Sequence, residues 1–190
     1  MKKLILFAAL LFGGANIANA QINEGNVMIG GSLTNLNLEF DRQTTFQVTP
    51  TAAWFIKDGL AVGGYGKFGL NHVNGQDGNS YSYGIGPLAR YFVSAEKLPA
   101  FRQTKFFLEA NAGFEGTDNR VNRTTTNGLG FGFGPGISYF ITPSIGLEAI
   151  VKYGGIVGFG SSAYSQSLSF GIGFQVYLPS KKLIKEIKEF

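Results

Sequence analysis

His72, the one histidine of the chain, lies close to hydroxyl and carboxyl side chains. Asp77, Ser80 and Ser82 follow it within a short stretch. Histidine beside serine suits hydrolysis or acyl transfer, because an imidazole can take the proton of an attacking hydroxyl. No recognised enzyme motif surrounds His72, and a solvated loop histidine explains the residue more simply than a catalytic one. We therefore predict a protein without catalytic residues and keep an enzyme acting through His72 as an alternative.

The composition argues against three other kinds of site. With no cysteine and one histidine, the chain is a poor candidate for a transition-metal site. The glycines of residues 128–136 have the spacing of a nucleotide-binding loop, but no helix pattern follows them. A formal net charge of +4 is too small to indicate nucleic-acid binding. We predict no metal, no cofactor and no nucleic-acid partner.

Six charged residues lie on the small or polar side of segments in which large apolar residues alternate with smaller ones. If the apolar side meets lipid, these charges point into a narrow interior, where an unpaired charge costs several kcal/mol. We therefore predict a salt-bridged network inside the protein, with Arg90 close to Glu109 on the next strand. The six predicted members are Lys67, Arg90, Glu109, Glu115, Glu148 and Lys152.

The segments that carry these charges have the period of β-strands. In the last segment Leu168, Phe170 and Ile172 alternate with serine and glycine, so one face is apolar and the other is small or polar. An even number of such strands lets the first and last pair and removes the sheet edges. We predict eight strands, near residues 27–40, 45–56, 60–73, 80–93, 105–116, 125–141, 145–157 and 165–178. In the first strand the apolar phase slips between Leu33 and Leu36, as at a bulge.

The two ends of the chain differ from the strands. Lys2 and Lys3 precede a short apolar run that closes with Ala18-Asn19-Ala20, the pattern of a signal peptide cleaved after Ala20. A retained membrane anchor is the alternative, although the run is short for a helix that spans a bilayer. Residues 180–190 have helical spacing, which predicts a short amphipathic tail. The predicted parts are a signal peptide (1–20), a barrel (21–179) and a periplasmic tail (180–190).

Three strands end with one pattern: a proline, three residues, an aromatic residue, a phenylalanine and a β-branched residue. The copies begin at Pro50, Pro87 and Pro135. Prolines at equivalent places predict a local bulge or kink that adds the coiling needed for closure, and the alternative is that they are tolerated without such a role. The aromatic residues fall on the apolar face at one end of their strands, where an interfacial belt forms in a membrane barrel. The predicted periplasmic belt consists of Trp54, Tyr91 and Tyr139.

These repeated endings, with the turn Lys57-Asp58-Gly59 into the third strand, resemble the small outer-membrane β-barrel proteins of Bacteroidetes. That family shares its architecture with the OmpA barrel and OmpX. The resemblance implies an all-β, eight-stranded antiparallel up-and-down transmembrane barrel in the outer membrane of a Gram-negative cell. It specifies the fold better than the activity, because the family includes porin-like, adhesive and other members.

The functional hypotheses follow from this reading. The first is a structural or surface-interaction barrel with a narrow, salt-bridged lumen. The alternatives are a small channel for solutes or apolar molecules, a lipid-modifying enzyme, and a soluble lipocalin-like barrel with its apolar face turned inward. Expected partners are membrane lipid, the barrel-assembly machinery and lipopolysaccharide, which Arg120 and Arg123 of a predicted external loop could contact. A surface partner is not identified by the sequence.

Overall fold

The protein is an eight-stranded antiparallel barrel in which each strand pairs with the next and the last pairs with the first. The structure is a computed structural model that describes residues 22–39, 43–73, 78–93, 103–119, 124–159 and 164–179. The predicted signal peptide and amphipathic tail lie outside this part of the chain. The strands are β1 (Val27–Glu39), β2 (Gln43–Lys57), β3 (Leu60–Val73), β4 (Asn79–Val93), β5 (Thr104–Asn119), β6 (Thr124–Thr142), β7 (Ile145–Gly158) and β8 (Tyr164–Leu178).

The large apolar side chains cover the outside of the barrel, as the alternation predicted. Phe68 is 62% exposed, Ile85 69% and Phe170 62%. On β8, Gly171 and Gln175 lie on the inner face and are buried. A soluble barrel with its apolar face inward, one of the sequence-based alternatives, is therefore wrong.

Among the described residues, no helix is long and apolar enough to cross a membrane.

The two ends of the barrel are built differently. At one end, here called the terminal end, β1 begins, β8 finishes, and the short turns 58–59 and 143–144 join neighbouring strands. A segment before β1 packs against this end, where Gly59 N donates to Ile22 O (2.8 Å) and Glu24 N donates to Asp58 Oδ1 (2.8 Å). The opposite end, here called the loop end, carries the connections that follow β1, β3, β5 and β7.

The bulge predicted in the first strand is confirmed. The β1–β2 register shifts between Thr34 and Asn37, so that two residues of β1 face one residue of β2. The extra residue shifts by one position which residues of β1 face outward after Leu33. This shift explains why the apolar residues of the sequence change phase there.

The bulges predicted at the prolines are wrong. Pro50, Pro87 and Pro135 each coincide with a gap in pairing to the following strand, but the register is the same on both sides of each gap. Proline lacks the N–H that one ladder bond needs, so pairing is lost without an inserted residue. All three prolines lie on the exposed outer face.

Candidate functional site

Arg90 is the centre of a buried ion cluster inside the terminal half of the barrel. Its Nη1 donates to both carboxylate oxygens of Glu148, at 2.8 and 2.7 Å. Its Nε and Nη2 donate to Glu109 Oε2, at 2.8 and 2.5 Å. Lys152 Nζ donates to the other oxygen of Glu109 at 2.8 Å. Two cations and two carboxylates thus neutralise each other where little water reaches them.

Three strands bring this cluster together. Arg90 on β4 lies directly opposite Glu109 on β5, whereas Glu148 reaches the same guanidinium from β7. The guanidinium carbon lies 4.2 Å from the ring centre of Phe107, in cation–π geometry. Tyr177 Oη donates to Glu148 Oε1 at 2.9 Å. The hydrogen bonds fix the side chains of Glu109 and Glu148. The cluster therefore links strands β4, β5 and β7 across the lumen.

A second ionic group lies nearer the loop end. Lys67 Nζ donates to Glu115 Oε2 at 2.5 Å, and Tyr65 Oη donates to Oε1 of the same carboxylate at 2.8 Å. Glu115 is buried, whereas the side chain of Lys67 is 22% exposed. All six sequence-predicted charges therefore lie inside the barrel, in two groups rather than in one network.

The terminal end of the lumen is filled by aromatic side chains, here called the aromatic plug. Ring centres lie 5.8 Å apart for Phe55 and Phe92, 5.5 Å for Phe92 and Phe107, and 5.0 Å for Phe140 and Tyr177. All five side chains are buried. Ring centres at these distances indicate direct packing of the side chains against one another.

The sequence reading missed the aromatic plug, although its signal was present. Phe55, Phe92 and Phe140 each follow the belt residue in the repeated strand ending. Because neighbouring strand residues face opposite sides, an outward aromatic residue places the next residue inside. The same seven-residue repeat thus supplies both the outer belt and three rings of the inner plug.

The predicted belt residues lie on the outer face near the terminal end. Trp54 is 57% exposed, Tyr91 53% and Tyr139 49%. Tyr139 Oη donates to Gln103 Oε1 at 2.8 Å, so its polar tip points to the end of the barrel. This arrangement suits an interface at which the ring meets hydrocarbon and the hydroxyl meets water.

A polar cavity of about 320 Å³ lies at the loop end of the lumen. Its wall carries hydroxyl and amide groups and the ionic residues already described, together with apolar side chains such as Phe46, Leu70 and Phe131. Lys67, Glu115 and Lys152 line it, and each has an ionic partner within the barrel. The remaining polar lining includes Ser32, Thr34, Thr45, Gln47, Thr49, Asn71, Ser80, Ser82, Asn111, Thr117, Ser167 and Ser169.

His72 lies near the loop end, paired with an amide rather than with a hydroxyl. Its Nδ1 is 2.6 Å from Asn79 Oδ1, and Asn79 Nδ2 donates to Tyr81 Oη at 3.2 Å. Asp77 lies outside the described residues, as do Arg120 and Arg123 of the predicted lipopolysaccharide contact. In the part of the chain that is described, no group of three or more acidic or histidine side chains is placed to hold a metal ion.

The sequence matches no protein-family model, and no curated protein is significantly similar to it. Solved structures do resemble the barrel. Neisserial surface protein A is 16% identical with a TM-score of 0.50, over 81% of this chain and 94% of that one. The N-terminal barrel domain of OprF from Pseudomonas aeruginosa is 13% identical with a TM-score of 0.53, over 82% and 98%. OprG from the same organism is 14% identical with a TM-score of 0.51, over 84% and 99%. The chain therefore has the fold of the small eight-stranded outer-membrane β-barrels.

Proposed function

We propose that the protein is an integral outer-membrane barrel of a Gram-negative bacterium, with a structural or surface-interaction role and an occluded lumen. The apolar outer face supports insertion in lipid, because side chains such as Ile85 and Phe68 would otherwise be exposed to water. The belt of Trp54, Tyr91 and Tyr139 supports a periplasmic terminal end. The fold shared with outer-membrane proteins favours this location over any other.

The aromatic plug carries the proposal of an occluded lumen. An eight-stranded barrel is just wide enough for its side chains to fill it. Here Phe55, Phe92 and Tyr177 close the terminal end, and the salt bridges of Arg90 cross the lumen above them. Moving ions through this region would require both the rings and the buried ion pairs to separate.

We expect the purified barrel to show no steady openings in planar bilayers. A variant with Phe55→Ala, Phe92→Ala and Arg90→Ala should conduct, because it removes two neighbouring rings of the plug together with the guanidinium that holds the ion pairs across the lumen. The matched control is Phe68→Ala with Phe170→Ala, which removes two rings from the outer face and should stay silent. Steady openings of the unmodified barrel would favour the alternative function of a small solute channel.

A non-enzymatic role is part of the same proposal. Among the described residues, His72 is hydrogen-bonded to Asn79 and to no serine hydroxyl, so the pair of base and nucleophile that a hydrolase needs is not assembled. We therefore expect His72→Ala to leave the lipid A of the producing cells unchanged in mass spectrometry. A change in the number of acyl chains, or in the headgroup modification, of lipid A in that variant would restore the hypothesis of a lipid-modifying enzyme.

The finer assignments stay within this proposal. Residues 1–20 would be removed as a signal peptide and residues 180–190 would form a periplasmic amphipathic tail. We expect the barrel-assembly machinery to read the aromatic last strand, and the external loops to meet lipopolysaccharide. The repeated endings place the chain with the Bacteroidetes barrels by resemblance alone. Membrane fractionation and a heat-dependent shift in gel migration test the outer-membrane location directly.

A further inference from the structure

The seam that closes the barrel is paired along only part of its length. The β1–β8 ladder runs from Val27 opposite Leu178 to Thr34 opposite Gly171. Beyond that pair, the described residues 37–39 of β1 pair with β2, and residues 164–170 of β8 pair with β7. The ladder that closes the barrel therefore stops before the part of the seam nearer the loop end.

The bulge in β1 explains why the strands part at this place. It follows directly after Thr34, the last residue of β1 in the ladder with β8. A bulge bends its strand and increases the local twist. Since β1 keeps its pairing with β2 after the bulge, the bend accounts for the end of its ladder with β8.

The gap has a polar side and an apolar side. Inside the barrel, Ser32 and Thr34 of β1 and Ser167 and Ser169 of β8 line the polar cavity. On the outer face of β8, Leu168 is 74% exposed, more than any other large apolar residue described in the barrel. The strand edge beside the gap thus separates the cavity from the surface that our proposed function places in lipid.

An unpaired strand edge at this depth needs a physical explanation. In hydrocarbon, backbone N–H and C=O groups without partners cost several kcal/mol each, so irregular backbone occurs only where it meets protein or a water-filled cavity. The polar cavity meets that condition for β8. On the outside, an apolar concavity lies along the paired part of the seam, lined by Ile29, Leu33, Ile172 and Phe174 among others, and so leads up to the place where the ladder ends.

We propose that the gap between β1 and β8 is a lateral portal that joins the polar cavity to the hydrocarbon layer. It would admit an amphiphile with an uncharged, hydroxyl-bearing head and an apolar tail. The head class follows from the lining, because Lys67, Glu115 and Lys152 already have ionic partners and hydroxyl and amide groups remain. The tail would lie between the parted strands, against Leu168. The proposal rests on the proposed function, which places the outer face in lipid.

Single cysteines test the portal, since the chain contains none of its own. Ser169→Cys, Ser82→Cys and Ile85→Cys are labelled with bimane and reconstituted in vesicles of dibromostearoyl phosphatidylcholine, whose bromines stay in the hydrocarbon. Ser169 and Ser82 both line the cavity, but only Ser169 is on β8 beside the gap. Ile85 faces outward and reports contact with lipid.

We expect strong quenching at Ile85, intermediate quenching at Ser169 and the least at Ser82. Equal quenching at Ser169 and Ser82 with strong quenching at Ile85 overturns the portal alone. Weak quenching at Ile85 overturns the proposed function instead. Dodecyl maltoside without bromine should reduce quenching at Ser169 and leave Ile85 unchanged, and an equal effect at both positions overturns the assigned ligand class.

A deletion variant tests the cause of the gap. Removing Asn35 takes out the extra residue of the bulge, so that position 36 falls opposite Phe46 and the β1 register continues. We expect quenching at Ser169 to fall to the level at Ser82, with quenching at Ile85 retained. Unchanged quenching at Ser169 in a barrel that still shows the heat-dependent gel shift contradicts the role of the bulge.

Discussion

Arg90→Met is expected to lower the free energy of unfolding by about 3–5 kcal/mol, because it leaves two carboxylates buried without their main partner. Glu109 and Glu148 each receive hydrogen bonds from the guanidinium, and both are buried. Methionine keeps much of the side-chain length and the apolar contact with Phe107. The loss therefore reports charge rather than volume.

The measurement is urea unfolding of the barrel refolded in phospholipid vesicles, followed through Trp54, the one tryptophan of the chain. Lys67→Met serves as the matched control. It removes one partner of a single buried carboxylate, Glu115, which keeps its hydrogen bond from Tyr65, so the loss of stability should be smaller than for Arg90→Met.

A triple variant separates charge from packing. Arg90→Met combined with Glu109→Gln and Glu148→Gln removes the carboxylates together with the guanidinium, and we expect it to recover most of the lost stability. Lys152 keeps its hydrogen bond to Asn111 Oδ1 in this variant. A triple variant as unstable as Arg90→Met would show that packing around Phe107, not charge, makes Arg90 important.

Most of the fold follows from periodicity in the sequence. Each predicted strand boundary lies within three residues of the observed one, because alternation marks a strand until a turn interrupts it. The bulge in β1 was also visible, since an inserted residue must shift the apolar phase after Leu33. The same rule placed Arg90 beside Glu109, which needs only the pairing of adjacent strands.

Contacts across the lumen were beyond the reach of that reasoning. Glu148 on β7 forms a salt bridge with Arg90 on β4. Glu115 on β5 accepts hydrogen bonds from Lys67 and Tyr65 on β3. Which strands face each other inside a barrel depends on strand tilt and shear, which pairwise alternation does not fix. The extent of the β1–β8 ladder could not be predicted either. These two strands lie at opposite ends of the sequence, and alternation within each strand does not show how far their pairing runs.

The glycines of β6 show where sequence reasoning was half right. Glycines at alternate, inward-facing positions predict room for large inward groups of other strands, such as Arg90, Phe107 or Tyr65. A Cβ added to Gly136 would lie 2.2 Å from the ring of Phe107, so that part of the expectation is confirmed. At Gly130 the nearest side chain is Glu115, and at Gly132 it is Asn111, rather than Arg90 or Tyr65.

Gly136→Ala should therefore destabilise the barrel by about 1–3 kcal/mol through overpacking. Phe107 lies opposite Gly136 in the β5–β6 ladder and has little freedom to move. Arg90 covers one face of its ring at 4.2 Å, and Phe92 packs against it at 5.5 Å. The added methyl group must displace the plug or shift the backbone.

The control for this substitution is Gly64→Ala, where the nearest atom to an added Cβ is a backbone oxygen at 3.4 Å, an ordinary contact. Phe107→Leu supplies the second axis of a double-mutant cycle. In that background, adding Gly136→Ala should cost little, because the smaller side chain leaves room for a methyl group. If Gly136→Ala costs no more than Gly64→Ala, or costs the same with and without Phe107→Leu, then the plug does not depend on the glycines of β6.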